Sequence, residues 1–520
     1  MKIFIILLLL SIAFAEPRHE NEWSSFKENF NKNYDASEEA FRKEIFLKKL
    51  SFIEEHNANP NEPTFLKINQ FSDLTWEEFE DRYLDTNLQE YLDNLPINDQ
   101  EQEIKDDSDD TAPATLDLRL THCTDIKSQG GCGSCWAFGS VGMFESALYH
   151  NHGVLADLSE QQILDCSYEE SQPTKDGCQG GWYDRPIYYL SDKRGAALMQ
   201  SYPYTAKDGA CNTQKVEVFH LNEEETASNY SPKEVEDTKL RLSRYGVLGV
   251  ALQVDSIFNS YGGKSVYYSA GCGGTVNHAV NIVGYGTKGA ENYWIIKNSW
   301  ARSWGDNGYM YMAMGVTSYQ GTTYTYGMCN IRKHQYVMTK ETKYNNNFIS
   351  SLSAPNLDIV LGEGSFNFTW DAVSTATEYR IKYWTDPLDS TDLYLDAATC
   401  CVDKTCLKTV YEEAPSNAYI RAIRLSDDRK IYSKYKSHDD NSLDSNDDQD
   451  DGDQDDEKDD EKSSKDDSSM SKTQIMTLSI GIIAGIFAII LATLIVISYK
   501  KNGSISMMLF SWKIQAKSKF

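Results

Sequence analysis

Two cysteines three apart stand in the stretch Gln129-Gly130-Gly131-Cys132-Gly133-Ser134-Cys135-Trp136-Ala137-Phe138. Such a pair can serve redox chemistry or bind zinc. The small βαβ context of a thioredoxin-like site is missing, however, and no second cysteine pair with a nearby histidine follows. Ala137, Val141, Phe144 and Leu148 recur at helical spacing, so Gly133 to His150 reads as a helix with Cys135 at its start. There the unpaired backbone N–H groups and the helix dipole favour a thiolate. Cys132, just outside the helix, is free for a structural disulfide. A thiolate nucleophile needs a positive partner that later donates a proton, which asks for one histidine held in reach. Among nine histidines, His278 enters the apolar run Val276-Asn277-His278-Ala279-Val280-Asn281, and twenty residues on stands Asn298 in Lys297-Asn298-Ser299-Trp300. An amide oxygen can orient the second ring nitrogen without the full charge of a carboxylate, and Trp300 can shield that bond from water. Taken alone, His278 reads as a locally bonded strand-edge histidine; beside Cys135 and Asn298 it completes a nucleophile, base and orienter.

The chain that must position these residues has 520 residues, enough for two or three domains. Its 50 Lys and Arg against 78 Asp and Glu give a formal charge of −28, the wrong sign for a protein that tracks nucleic-acid backbones. Residues 1–15 read as a cleaved signal peptide: Met1 and Lys2, an apolar run from Ile3 to Phe14, and the small-x-small site Ala13-Phe14-Ala15. The eleven cysteines then lie where disulfides form, and the odd count leaves at least one unpaired within the chain.

Residues 16–110 are charged and cysteine-free. Trp23, Phe26 and Phe30, then Phe41, Ile45 and Phe52, follow helical spacing, and Thr75 is placed to cap a helix starting at Trp76. An acidic linker from Asn98 makes this a removable unit. Residues 111–340 hold eight cysteines, a helical first part and a strand-rich second part with runs at Val266-Tyr267-Tyr268, Ala279 to Val283 and Tyr293 to Ile296, which implies two subdomains of different kinds. Residues 350–436 alternate as short strands around Phe366, Phe368, Trp370, Tyr379, Ile381, Tyr383 and Ile420, a β-sandwich pattern.

Residues 438–470 carry sixteen acids and three lysines and read as an extended stalk. Residues 473–498 carry no charge. At 1.5 Å rise they cover roughly 39 Å, enough for one transmembrane helix. The tail, 499–520, has lysines and no acid, which puts it in the cytoplasm and the rest outside or in a lumen. Asn229-Tyr230-Ser231 and Asn367-Phe368-Thr369 are glycosylation sequons on that side.

The residues around Cys135, with His278 and Asn298, resemble the papain and cathepsin L-like family of cysteine peptidases. The resemblance implies an α+β fold with a helical left part, a β-barrel-like right part and a helical inhibitory propeptide. Cys135 would be the nucleophile, His278 the general base and acid, Asn298 the orienting amide and Gln129 the side chain of the oxyanion hole. Gly180 and Gly181 would bind the substrate backbone. Trp182, Tyr183, Ala251 and Ala279 would line the pocket for the second residue upstream of the cut, with His334 near its floor. Trp300 and Trp304 would close the site. The implied disulfides are Cys132–Cys178, Cys166–Cys211 and Cys272–Cys329; the pairing of Cys123, Cys400, Cys401 and Cys406 stays open.

Glu38, Arg42, Ile45, Phe46, Ile53 and Asn57 match the helix signature of cathepsin L-like proforms, with Lys49 in place of its first asparagine. Asn69, Phe71 and Asp73 fit the shorter motif after it, with Lys67 where glycine is common. Nothing resembles a loop that would restrict the enzyme to removing dipeptides. The implied function is that of a membrane-anchored cysteine endopeptidase made as a zymogen, active in an acidic, lysosome- or vacuole-like vesicle or at the cell surface. No metal and no cofactor are expected; the partners are peptide or protein substrates, its own propeptide, and the membrane. Residues 350–436 resemble a fibronectin type III module, and the alternative reading is a receptor or adhesion protein acting mainly through that module.

Overall fold

A computed structural model describes residues 19–93, 111–167, 177–191, 195–212, 217–221, 231–232, 234–338, 342–344, 357–362, 365–373, 376–386, 388–402, 405–410, 417–426, 429–432 and 436–437. All of them fall within the first of the chain's two units, 1–447. The signal peptide, the linker from 98 to 110, the sequon at Asn229, the stalk, the apolar span and the tail lie outside the described residues. Among the described residues no helix is long and apolar enough to cross a membrane.

In the N-terminal part, helix α1 (Ala36–Ala58) is capped by Asp35, whose carboxylate accepts from the N–H groups of Ser37 and Glu38. Its buried face is Arg42, Phe46, Leu50 and Ile53, packed on Trp23 and Phe26. The spacing Phe41, Ile45, Phe52 had placed that face one residue away. Phe41 is instead 50 % exposed, and Arg42 points inward because carboxylates hold it there. Its Nε donates to Glu38 at 2.8 Å, and its two terminal nitrogens donate to Glu78 at 2.5 and 2.8 Å. Glu78 lies on α2 (Trp76–Tyr83), whose N-cap Thr75 forms the expected cap with it as a capping box. A short α3 (Leu88–Asp93) follows.

Helix α4 (Cys135–His152) is buried from Cys135 through Leu148 and ends at Gly153, φ 65°. It packs on α5 (Glu160–Cys166) and on an antiparallel sheet. The sheet strands are β1 (Leu116–Asp117), β3 (Leu248–Leu252), β4 (His278–Lys288), β5 (Glu291–Lys297), β6 (Tyr309–Ala313) and β7 (Gln335–Tyr336), with β2 (Leu155–Ala156) in the helical part. Their hydrogen-bonded order is β7-β3-β4-β5-β6 with β1 against β4, an open path rather than a closed barrel. Val266-Tyr267-Tyr268 makes no strand; it contributes one isolated bridge, Tyr267 to Met312. Disulfides join Cys132–Cys178, Cys166–Cys211 and Cys272–Cys329, and a fourth joins Cys401–Cys406. Cys123 and Cys400 are free thiols, as is Cys135.

One buried ammonium organises the helical part. Lys127 Nζ lies 3.0 Å from Glu145, 2.6 Å from Asp157 and 2.5 Å from Glu160, all three carboxylates being buried. Burial alone would strip Lys127 of its proton, yet Asp157, Glu145 and Glu160 hold its pKa well above the usual value.

The C-terminal strands form two facing antiparallel sheets. Their elements are β8 (Leu357–Gly362), β9 (Ser365–Asp371), β10 (Glu378–Asp386), β11 (Asp389–Asp396), β12 (Cys401–Val402), β13 (Thr405–Val410), β14 (Asn417–Ser426) and β15 (Arg429–Tyr432). One sheet runs β8-β9-β13-β12 and the other β11-β10-β14-β15. Alternation along β9 and β10 sends Phe368 onto Tyr383 and Trp370 onto Tyr379, with ring centroids 5.2 and 5.4 Å apart. The second sheet does not stop at β15: β2 of the helical part pairs with it, Leu155 opposite Tyr432 and Ala156 opposite Ile431.

Candidate active site

Helix α4 brings Cys135 to its N-terminal end, where Ser134 caps without a side-chain bond, so backbone N–H groups stay available there. Gly133 donates its N–H to Cys178 O at 2.9 Å, and a Cβ at Gly133 would come within 2.7 Å of that carbonyl. Strand β4 starts at His278, and the next residue, Ala279, donates its N–H to Cys135 Sγ at 3.4 Å. Strand β5 ends at Lys297 and delivers Asn298, whose Oδ1 lies 2.9 Å from His278 Nε2. The same Oδ1 accepts from Ser299 N at 2.8 Å. It is therefore the acceptor of the pair, Nε2 carries the proton, and the neutral ring keeps its lone pair on Nδ1, which has no hydrogen-bond partner among the described residues. Trp300 stacks on His278 at 4.6 Å and 30°, and Trp304 packs edge-on to Trp300 at 5.3 Å, so the two indoles wall off the imidazole–amide bond.

Gln129 joins this group from the segment before α4. Its Oε1 accepts from Ser299 Oγ at 2.6 Å and from Trp300 Nε1 at 3.0 Å, which aims the amide nitrogen into the cleft. That nitrogen donates to the carbonyl of Tyr83, at the end of α2, at 3.0 Å. Gly180 and Gly181 face the same cleft: Gly181 N donates to Asp85 Oδ2 at 3.1 Å, and a Cβ on Gly180 would strike the Asp85 carboxylate. Ala251 pairs with Ala279 across β3 and β4, and both share an apolar cluster with Trp182, Leu88 and Leu92. Tyr183 is buried between the helix and the sheet, its hydroxyl 3.2 Å from Val250 O and 3.1 Å from Val280 O. His334 is buried behind β3, its carbonyl accepting from Ala251 N at 3.3 Å. Burial pulls its pKa down to about 4, so it is neutral over most of the pH range. Asn367 lies on β9, where its Oδ1 accepts from Thr409 at 2.6 Å.

The N-terminal part covers this cleft along its length. Phe71 and Phe79 set their rings edge-on to Trp300 at 5.3 Å each, Asp85 N donates to Asn277 O at 2.8 Å, and Tyr91 donates to Asp184. Sequence patterns could not single out Tyr83 or Asp85, because one contributes a backbone carbonyl and the other is one acid among many. The cover also changes the chemistry beneath it. Burial, with the Asp85 carboxylate adding to it, pushes the Cys135 thiol up to about 12, and burial pulls His278 down to about 4 against its bond to Asn298. Both groups are neutral in the covered state.

Asp85 itself is raised by burial to about 6 from 3.8, despite N–H bonds from Gly181, Asn87 and Leu88. A pKa raised on docking means that protonation favours docking. This contribution is complete below 3.8 and is lost as pH rises through about 6. Acid release must act elsewhere. Glu39, bonded to Lys27 and Trp23, and Glu78, bonded to Arg42, have depressed pKa values, so their stabilisation is present above the ordinary carboxylate range and lost as pH falls through it. These pairs lie within the N-terminal part itself. Asp85→Asn in the full-length chain should therefore slow autoactivation at pH 6 to 7 by about 10-fold, since a neutral amide no longer resists docking. Equal activation rates, followed by gel, would remove Asp85 from the block.

Residues 112–339 match the family described as papain family cysteine protease, and residues 23–79 match the cathepsin propeptide inhibitor domain. Digestive cysteine proteinase 1 of Homarus americanus is 34% identical over 60% of this chain and 94% of its own length. A cathepsin L-like proteinase of Fasciola hepatica is 35% identical over 60% of this chain and 93% of its own. The structure of digestive procathepsin L 3 from the Tenebrio molitor larval midgut superimposes with a TM-score of 0.52 at 29% identity, covering 62% of this chain and 99% of that one. A thiol at a helix start, an amide-oriented histidine and an N-terminal cover define a cysteine endopeptidase held as a propeptide-inhibited zymogen. The chain belongs to the papain family of cysteine proteases, with the α+β, two-part fold and helical propeptide of that family.

Proposed function

We propose that Cys135 is the nucleophile of this endopeptidase, His278 its base and acid, Asn298 the amide that orients His278, and Gln129 the side-chain donor of the oxyanion hole. The observation that carries the reading is the Gln129–Tyr83 bond: an amide aimed by Ser299 and Trp300, and bonded also to Cys132 O at 3.0 Å, already holds a peptide carbonyl of the cover. When the cover leaves, water reaches the cleft and the Asp85 charge departs. Cys135 can then pass its proton to His278 Nδ1 and exist as thiolate beside imidazolium. The thiolate attacks the substrate carbonyl, and the oxygen that gains charge is met by Gln129 Nε2 and the Cys135 N–H. His278 protonates the departing amine, and the thioester is hydrolysed by water that the same histidine deprotonates.

Gly181 would pair with the substrate backbone beside Gly180. Trp182, Ala251 and Ala279, in the cluster that now receives Leu88 and Leu92, favour an apolar side chain upstream of the cut. Tyr183 supports that wall from the core, and His334 stands behind it.

The reading extends to the ends of the chain. Residues 1–15 are a signal peptide, 16–110 the propeptide, 111–340 the protease, 350–436 a fibronectin type III-like module, 438–470 a stalk, 473–498 a membrane span and 499–520 a cytoplasmic tail. The two-sheet order of β8 to β15 supports the module, and the 26 uncharged residues from Thr473 support the anchor. The catalytic part would then face a lumen or the outside, with Asn229 and Asn367 as glycan acceptors. A reading in which the module serves mainly as a receptor has no observation in its favour.

One experiment tests both halves. A tagged thiol-reactive peptide should label the acid-activated enzyme, and the labelled band that has lost only the propeptide should stay with membranes in alkaline carbonate. Gln129→Ala should lower kcat by about 10²-fold, the scale of losing one oxyanion donor. Unchanged kcat strikes the oxyanion role, and release by carbonate of the labelled band with its C-terminus intact strikes the anchor.

A further inference from the structure

The C-terminal sandwich touches the protease through residues that sequence alternation assigns to its polar face. On β10, Tyr379, Ile381 and Tyr383 fill the sandwich core while Arg380 and Lys382 point the other way, and both are buried. Arg380 Nη1 donates to Asp125 Oδ1 at 2.7 Å. Arg421, between Ile420 and Ala422 on β14, donates to the same oxygen at 2.9 Å and to Cys123 O at 3.0 Å. Arg302 lies 3.8 Å from the other Asp125 oxygen, and its guanidinium sits over the Tyr394 ring of β11 at 3.5 Å. Further along, Ser390 donates to Asp306 Oδ2 at 2.8 Å, and Lys264 N donates to Leu388 O at 2.9 Å. At the opposite end Tyr432 donates to Asp157 at 3.3 Å, beside the β2–β15 pairing. The sandwich thus holds both the helical part and the sheet part.

The gripped segments are the ones that carry the site. Asp125 lies four residues before Gln129, and Arg302 lies two after Trp300 and four after Asn298. The two segments are bonded to each other: Ala301 N to Lys127 O at 3.0 Å, Gln129 N to Ser299 O at 2.8 Å, and a bridge between Ser128 and Trp300. We propose that the sandwich is a positioning part of the catalytic machinery, in which Arg380 and Arg421 through Asp125, and Tyr394 through Arg302, fix the register of the Gln129 and Asn298 segments. The proposal rests on the roles given above to Gln129 and Asn298. Its physical basis is the steep cost of misplacing a donor: a shift near 1 Å far from the chemistry can cost about 10²-fold in rate.

The test uses the full-length chain after acid activation, with Arg421→Met, Arg421→Lys and Tyr394→Leu, each alone and combined with Gln129→Ala. Active sites are counted by titration with a thiol-reactive peptide, so that kcat refers to competent enzyme and not to folded yield. We expect kcat per titrated site to fall about 10-fold for R421M and about 3-fold for Y394L, with KM within about twofold, and R421K to recover much of the loss. In these backgrounds Q129A should cost a smaller factor than in the parent, because a donor already out of register has less to lose. Unchanged kcat per site in R421M and Y394L, or fully multiplicative effects with Q129A, overturns the proposal. Should R421M yield no titratable enzyme, Y394L and its double variant decide. If Q129A alone leaves kcat unchanged, the oxyanion assignment falls, while the R421M and Y394L values still decide whether the sandwich positions the site.

Discussion

Cys135→Ala should remove turnover by at least about 10⁴-fold while leaving a folded, full-length proenzyme, because in the role proposed for Cys135 the nucleophile is the one group whose loss no neighbour can replace. Folding should survive. The thiol is fully buried, an alanine methyl fills part of its place, and the bond it loses from the Ala279 N–H, at 3.4 Å, is weak. The substitution also asks who opens the zymogen. Purified C135A proenzyme held in mild acid should keep its propeptide, while the parent loses it; conversion of both at equal rates would assign activation to another protease. A second reading comes from the thiol itself. With Cys135 pushed up to about 12 under the propeptide, the proenzyme should react with iodoacetamide far more slowly at Cys135 than the activated enzyme does. Equal alkylation rates would mean that the propeptide blocks substrate only and leaves the thiolate intact.

Lys127→Met should be the most damaging substitution away from the cleft. It leaves Glu145, Asp157 and Glu160 buried around an apolar side chain. Breaking a buried pair by removing one partner costs about 3–5 kcal/mol, against a total stability of about 5–15 kcal/mol. We expect little folded proenzyme at pH 7, or a Tm lowered by at least about 6 °C. The loss should shrink in acid, and the sign can be worked out. Burial already pushes Glu160 well above its ordinary 4.5, against the pull of Lys127. A raised folded-state pKa gives stability that is present below 4.5 and lost as pH rises. Without Lys127, Glu160 should take up a proton more readily, so K127M should be least unstable near pH 4 to 5. A K127M protein with the parental Tm at pH 7 would show that the cluster carries no net stability.

Much of the proposed site was legible because its chemistry needs residue types that are rare in context. A cysteine at a helix start, a histidine entering an apolar strand and an asparagine before a tryptophan stand out against their neighbours. The propeptide helices were legible by period, but the face of α1 was misjudged by one position because Arg42, a charged residue, takes an inward place that only Glu38 and Glu78 make favourable. The run at Val266-Tyr267-Tyr268 carries strand-forming residues yet pairs only at Tyr267, since propensity does not supply a neighbouring edge. The sandwich was legible as a fold and illegible as a contact. Alternation marks Arg380, Lys382 and Arg421 as facing away from its core, but nothing in a period of two says whether that second face meets water or another protein surface.

The shared β2–β15 pairing has a practical consequence for how this enzyme can be produced. A recombinant chain ended near residue 340, where a papain-like domain would ordinarily be trimmed, loses β15 and leaves the backbone of Leu155 and Ala156 without its strand partner. It also strips Asp125 of two buried guanidinium groups and Asp306 of its serine. An open strand edge beside newly exposed carboxylates is a template for intermolecular pairing. A recombinant chain that keeps these contacts must therefore run past Lys436–Ser437, the last strand bonded to β14 among the described residues, rather than stop at the end of the family match.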